Sequence, residues 1–194
     1  MRGGIRIVGG AWRGRRLRVP SGPDIRPTSE FLRKALFDIL GARVEGAEVL
    51  DLYAGTGALA LEALSRGAAT ATLVEVNPAS LKTARSNAAA LGCQGRCRFL
   101  RMEGLAAVEA LSREGRRFHL ILADPPYAGD LAGATARAVA RHGLLLPGGL
   151  LVLEVSSRAV LPERLPPLAR ARTRRHGDST LLFYAAEPPE TRSA

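Results

Sequence analysis

The chain has 194 residues, 46% of them hydrophobic, and sets 28 Lys and Arg against 18 Asp and Glu for a formal charge of +10. That length and apolar content suffice for a single α/β domain over 1–186 with a polar tail at 187–194, and the charge excess calls for a polyanionic partner. No run of about 18 uncharged apolar residues occurs and the arginine-rich start has no apolar leader, so no membrane association is expected and a cytoplasmic protein is. Cys93 and Cys97 form one C-x3-C pair without a His or Cys cluster nearby, so no metal is expected either.

The positive charge is uneven. Arg2, Arg6, Arg13, Arg15, Arg16, Arg18 and Arg26 face only Asp24 in the first 26 residues, and Arg170, Arg172, Arg174 and Arg175 form a second cluster. Residues 5–19 read as a short basic β-hairpin or arm with Gly9-Gly10 near its turn, and 1–26 as an RNA-binding extension of the domain. Guanidinium forks suit phosphates, and adjacent glycines let the backbone approach an RNA strand. Arg6, Arg13, Arg15, Arg16 and Arg26 are therefore candidate RNA contacts. Trp12 either stacks on a base or pins the arm to the domain. After the link Ser21-Gly22-Pro23, Thr28 or Ser29 caps a helix through about Leu40, with Phe31, Leu32, Ala35, Leu36 and Ile39 as its apolar face.

A short apolar strand, Val49-Leu50-Asp51, then leads through Leu52-Tyr53-Ala54-Gly55-Thr56-Gly57 into an Ala/Leu-rich helix. The glycine pair permits a tight turn and close backbone approach, as in nucleotide-binding loops. Two differences matter. No Gly-Lys-Ser/Thr follows, and the loop carries an acid, Asp51, at its mouth, which would repel a pyrophosphate and suits a ligand with a cationic amine or sulfonium. A purely structural strand-to-helix turn is the alternative. The next strand, Thr70-Ala71-Thr72-Leu73-Val74, ends at Glu75-Val76-Asn77, about two dozen residues after Asp51, where an acid reaches ribose hydroxyls in dinucleotide sites. Glu75 is the ribose candidate, and Asn77 doubles as the N-cap of the helix that opens with Pro78.

The most telling stretch is Leu120-Ile121-Leu122-Ala123-Asp124-Pro125-Pro126-Tyr127. The apolar run reads as a buried strand, and the two prolines forbid both its continuation and an immediate helix. The chain breaks at the strand's carboxyl end, where open α/β sheets place their ligands. A carboxylate, a proline carbonyl and a flat ring presented together suit a planar group bearing an exocyclic amine. Along the whole chain, strands are predicted near 48–52, 71–76, 97–101, 118–123 and 149–155, helices near 57–66, 78–91, 103–113 and 130–143, and a hairpin of 171–176 with 180–185 about Gly177-Asp178. This alternation is a doubly wound, mainly parallel pattern.

Taken in order, these motifs resemble the class I S-adenosylmethionine-dependent methyltransferases, with Asp51 to Gly57 as cofactor loop and Asp124-Pro125-Pro126-Tyr127 as the catalytic motif of the amino-methylating branch. With Arg6-Ile7-Val8-Gly9-Gly10-Ala11-Trp12-Arg13-Gly14-Arg15-Arg16-Leu17, Arg26-Pro27-Thr28, Arg33 and Leu36-Phe37, the chain is similar to the RsmD family of bacterial 16S rRNA guanine-N2 methyltransferases from about Arg6 to Tyr184. The resemblance implies a Rossmann-like fold with a seven-stranded, mainly parallel sheet whose last strand is antiparallel. It implies S-adenosylmethionine as cofactor, held by Asp51, Tyr53, Ala54, Gly55, Thr56, Gly57, Glu75, Val76, Asn77, Glu103 and Gly104. Arg33 is a further cofactor candidate, toward the carboxylate, with an RNA phosphate or the helix surface as its alternatives. Thr28 joins the RNA contacts. The implied substrate is 16S rRNA, within a partly assembled 30S particle, and the implied enzyme is a monomer. Where the family carries Asn or Asp before Asp-Ala, this chain has Arg101-Met102-Glu103-Gly104.

The chemistry follows. Asp124 and the Pro125 carbonyl accept the two N–H groups of an exocyclic amine, Tyr127 stacks on the unstacked base, and alignment and charge relief are the main catalytic terms. The same motif serves DNA adenine or cytosine and protein glutamine, and a non-catalytic RNA-binding protein on this scaffold is a third class. The small size without a target-recognition domain and the charge of +10 favour RNA.

Overall fold

The computed structural model describes residues 5–19, 30–126 and 129–186. The expected contacts Arg26, Thr28 and Tyr127, the link at 21–23, the helix cap at 28–29 and the tail lie outside the described residues.

Eight strands form one sheet: β1 (Glu48–Asp51), β2 (Thr70–Val74), β3 (Cys97–Leu100), β4 (Phe118–Ala123), β5 (Leu145–Ser156), β6 (Arg164–Leu165), β7 (Leu168–His176) and β8 (Ser179–Ala186), in the order β3-β2-β1-β4-β5-β8-β7-β6. Among the described residues five α-helices connect or cover them: α1 (Glu30–Leu40), α2 (Ala58–Ser65), α3 (Pro78–Ala90), α4 (Gly104–Arg113) and α5 (Leu131–His142). β1 to β5 pair in parallel, and β8 enters antiparallel between β5 and β7. The parallel strands are apolar because helices cover both faces. One buried cluster gathers α1, α2, α3 and the N-terminal arm, and the other α4 and α5.

Four details depart from the expected pattern. The two-residue β6 adds an eighth strand, pairing with Leu168 and Ala169 across Pro166-Pro167. β5 starts at Leu145 instead of 149, because its register against β4 jumps from Phe118↔Leu145 to Leu120↔Leu150 and leaves Pro147-Gly148-Gly149 in the irregular part. The arm is less regular than a hairpin ladder: it holds one isolated bridge, Arg6↔Arg16, and its tip is a 3-10 turn over Gly10–Trp12. In α1 the buried residues are Leu32, Arg33, Leu36, Phe37 and Leu40, and Phe31 is 58% exposed. Of the expected apolar face, Leu32 and Leu36 are buried and Ile39 packs partly against the core, whereas docking on the arm and on Glu62 of α2 turned Arg33 and Phe37 inward and left Phe31 outside.

Candidate active site

Asp51 ends β1 in register with Leu73 of β2 and Leu122 of β4. Glu75 and Asp124 each follow two residues after those partners, so three carboxylates line the carboxyl edge of three adjacent strands. Asp51 is 1% exposed. Its Oδ2 accepts the Ala60 N–H of α2 at 3.2 Å, and its Oδ1 is buried without a hydrogen-bond partner of normal geometry. Burial pushes the Asp51 carboxyl up to about 7; the Asp124 and Glu75 charges add to this, and the Ala60 and Tyr53 backbone N–H groups oppose it. A buried acid with two acidic neighbours is an environment that suits a cationic group.

The loop after Asp51 is held from several sides. Ala54 N–H donates to the Val74 carbonyl at 2.9 Å. Gly57 precedes α2 at φ 83°, a left-handed conformation, and an added Cβ would lie 3.1 Å from Cδ2 of Leu73. The Glu75 carboxylate bridges two loops, Oε2 accepting from Gly55 N–H at 2.8 Å and Oε1 from Asn77 N–H at 2.7 Å. Asn77 is the N-cap of α3, its Oδ1 accepting from Ala79 and Ser80 N–H at 2.9 and 3.2 Å. Val76 is 49% exposed beside it.

On the other side of the loop, the Tyr53 hydroxyl meets Thr135 Oγ1 of α5 at 2.7 Å. Gly104 opens α4 directly against the Tyr53 ring, where an added Cβ would lie 2.7 Å from Cζ. Tyr53 and the Gly at 104 therefore fit as a pair. Glu103 is exposed at the N-cap position of α4 without a side-chain capping bond, and its charge helps raise the Tyr53 hydroxyl's pKa behind the dominant burial effect. Beyond β4, Asp124 is half-buried, Pro125 buried and Pro126 exposed.

The arm lies along α2 and α3, and most of its contacts are with the domain itself. Glu62, in the middle of α2, is fully buried and accepts from Val8 N–H at 2.8 Å and from Arg66 Nε at 2.7 Å. Ser65 Oγ donates to the Gly9 carbonyl at 2.7 Å and accepts from Trp12 N–H at 2.9 Å. The Trp12 ring packs on the core under the Arg96 guanidinium, 5.3 Å from its centroid, a contact that anchors the arm to the domain. Arg33 has no exposed surface; it donates to the Arg6 carbonyl and its Nε lies 3.7 Å from Glu62 Oε2. The guanidinium thus holds the arm rather than the helix surface. Arg15 donates to the Ala90 carbonyl at the end of α3 at 3.0 Å, a helix C-cap contact. Arg6, Arg13 and Arg16 are exposed.

Sequence reasoning passed over Glu62, Asn87 and Thr135. A lone acid inside the run Ala58-Leu59-Ala60-Leu61-Glu62-Ala63-Leu64 was the available signal for the first. Among the described residues no group of His, Cys, Asp or Glu is arranged to hold a metal, and no helix is long and apolar enough to cross a membrane.

The family described as "Conserved hypothetical protein 95" matches residues 5–185. The Ribosomal RNA small subunit methyltransferase D of Escherichia coli K12 is 38% identical over 160 residues, covering 82% of this chain and 79% of that protein. A hypothetical protein from Thermus thermophilus superposes with a TM-score of 0.80 at 34% identity, over 94% of this chain and 99% of its own. An RNA methyltransferase from Salinibacter ruber, solved with S-adenosyl-L-homocysteine, shares the fold at a TM-score of 0.64 and 18% identity, over 87% and 100% of the two chains. A sheet of this order, three carboxylates on its carboxyl edge and a family match across nearly the whole sequence make one case: the chain belongs to the RsmD family of methyltransferases.

Proposed function

We propose that this protein transfers a methyl group from S-adenosylmethionine to the exocyclic N2 amine of a guanine in 16S rRNA of the small ribosomal subunit. The observation that carries the reading is the placement of Asp124 just past β4, the strand next to β1, two residues beyond Leu122, the partner of Asp51, and so about 8 Å from Asp51 by strand geometry. A hydrogen-bond acceptor for an amine and a buried receptor for a cation stand side by side. The name of the Escherichia coli relative supports rRNA as the substrate class.

The residues present fit the cofactor. Asp51 offers its unused Oδ1 to the cationic methionine portion, the backbone of Ala54, Gly55, Thr56 and Gly57 allows close approach, Glu75 and Val76 meet the ribose side, and Glu103 with Gly104 and Tyr53 borders the adenine side. When bound, S-adenosylmethionine supplies an activated methyl group on a sulfonium.

A guanine N2 amine is a weak nucleophile because its lone pair is delocalised into the ring. Asp124 accepts one N–H and the Pro125 carbonyl the other, which fixes the direction of the nitrogen lone pair and relieves the positive charge that develops on it. Tyr127 stacks on the base after it leaves the RNA stack. The Asp124 carboxylate takes the amine proton late, so no tuned general base is required. The exposed arm residues Arg6, Arg13 and Arg16, with Arg26 and Thr28, contact RNA phosphates.

The test is methyl transfer from radiolabelled S-adenosylmethionine to 16S rRNA and to 30S particles from cells lacking this gene, followed by nucleoside analysis. N2-methylguanosine at one position is the expected product. Label entering only DNA or protein would overturn the rRNA reading.

A further inference from the structure

The second arginine cluster has no place in the chemistry above, and the sheet register shows where it points. Between Arg170, paired with Tyr184, and Arg172, paired with Phe183, β7 carries a bulge at Ala171. Directly opposed residues share a face of the sheet. Arg170 therefore lies on the Tyr184 face, where it pairs with Glu163 at 2.9 Å. The bulge reverses the alternation after it, so that Arg172 and Arg174 follow Phe183 and Leu181 onto the face covered by α1. There they line a groove of about 360 Å³ together with Phe31, Lys34, Ala35, Asp38 and Ile39 of α1.

The groove combines a ring pair with unbalanced positive charge. Phe31, 58% exposed, stacks on the His176 ring with centroids 4.3 Å apart and planes 23° from parallel. Asp38, the acid in the groove, is already matched by Lys34 at 2.6 Å and Arg66 at 3.8 Å. Arg172 and Arg174 are exposed and have no ion-pair partner among the described residues.

Its position is set by pairing across four strands. Ala123 of β4 is level with Leu153, Leu153 with Leu182, and Leu182 with Thr173. Arg174 thus follows Thr173 just as Asp124 follows Ala123, on a strand running in the same direction. Three strand spacings of about 4.8 Å separate them, roughly 14 Å along the carboxyl edge. The arm's tip, by contrast, sits at Ser65, the far end of α2, an eight-residue helix that spans about 12 Å away from the cofactor loop.

We propose that the groove between α1 and the bulged β7 binds a single-stranded segment of the RNA substrate flanking the target nucleotide, with Arg172 and Arg174 on its phosphates and the exposed face of the Phe31–His176 ring pair under one of its bases. This rests on the RNA reading of the function. Guanidinium groups beside an open aromatic face are the usual equipment for unpaired RNA, whose bases are available for stacking.

The test measures binding of a fluorescent, unstructured oligoribonucleotide of about 12 nucleotides by the full-length protein over a range of salt. Arg172→Ala/Arg174→Ala should lower affinity about tenfold at low salt and flatten the slope of log affinity against log salt by about 1.4, or 0.7 per phosphate lost. Phe31→Ala should lower affinity about tenfold with the slope unchanged. Arg172→Lys/Arg174→Lys should keep the slope, and cofactor affinity should be the same in all of them. Wild-type affinity and slope in the double alanine variant would overturn the groove. Normal oligonucleotide binding with lost methylation of 30S particles would also overturn it, placing a ribosomal protein there instead. Wild-type methylation of particles is measured in parallel: its absence defeats the rRNA reading itself, whereas its presence beside unaffected variants defeats the groove alone.

Discussion

Asn87 of α3 holds the backbone of Arg18 from both sides: its Oδ1 accepts the Arg18 N–H at 2.8 Å and its Nδ2 donates to the Arg18 carbonyl at 3.0 Å. The same Nδ2 donates to the carbonyl of Thr56 in the loop between β1 and α2, also at 3.0 Å. One buried amide thereby ties the returning limb of the arm to the loop that follows Asp51. An arm that looks like an appendage in the sequence is part of the frame of the proposed cofactor site.

Replacing Asn87 with Ala should therefore act on two properties together. Losing three hydrogen bonds at a buried position costs about 2 kcal/mol, read as a lower midpoint of denaturant unfolding. Cofactor affinity, measured by calorimetry, should fall several-fold in the same variant. A stability loss with unchanged cofactor affinity would show that the loop holds itself.

The pH dependence of cofactor affinity reports on Asp51. Its folded pKa is raised to about 7 from an ordinary 3.8, so between those values the folded, ligand-free protein keeps a proton that the unfolded chain has released. Stability from this group is therefore present at low pH and is lost as pH rises through 7. A cationic ligand favours the ionised form and drives the proton off. Affinity for S-adenosyl-L-homocysteine, which retains the amine, should rise up to tenfold per unit below about pH 7 and level off above it. Asp51→Asn should remove this dependence, weaken binding at pH 8, and leave the free protein no less stable there. An unchanged pH profile in that variant would move the titration to another group.

Gly104 and Tyr53 should behave as a coupled pair. Gly104→Ala drives a methyl into the Tyr53 ring, which must swing and lose its bond to Thr135. Weaker cofactor binding is expected from Gly104→Ala alone. In a Tyr53→Ala background the same change should cost little, giving a coupling of about 1 kcal/mol or more in a double-mutant cycle. Additive effects would argue against ring displacement as the cause.

Asp124→Ala should reduce transfer by at least a hundredfold, the scale for losing one preorganised polar contact at a reacting centre, with cofactor affinity retained or improved. Improvement is the informative sign, because the Asp124 charge contributes to raising the Asp51 pKa. Full activity in this variant would remove the proposed mechanism.

Glu62→Ala should be among the most destabilising substitutions in the protein, by about 3 kcal/mol. It leaves the buried Arg33 without its ionic neighbour on α2 and the Val8 N–H without its acceptor. The arm should then become sensitive to limited proteolysis near Gly14, while Arg13→Ala at the exposed tip leaves that region protected.

Much of this architecture was readable locally. β4 must stop where Asp124 is followed by two prolines, and Asn77-Pro78 must start a helix, since capping and proline geometry depend on neighbours in the chain. The acids at the ends of β1, β2 and β4 were legible for the same reason, each closing an apolar run. Arg33 was not. A charged residue on an amphipathic helix is expected to face solvent, and the approach of Glu62 and the Arg6 carbonyl helps make its burial tolerable. Phe31 failed in the opposite direction, an apolar residue turned outward because the arm and α2 occupy the side that fixes how α1 is rotated.

The sequence by itself determined the order of strands and helices, the loops that break at the carboxyl edge, and the types of side chain available there, because hydrophobic period, capping and turn chemistry are local properties. The tertiary structure alone decided which acids stand on adjacent strands, which arginines hold the arm and which remain exposed, and, through one bulged residue, that Arg172 and Arg174 face α1. Those outcomes depend on strand order, register and helix rotation. Such quantities arise from burying surfaces distant in the chain against one another, and no local pattern records them.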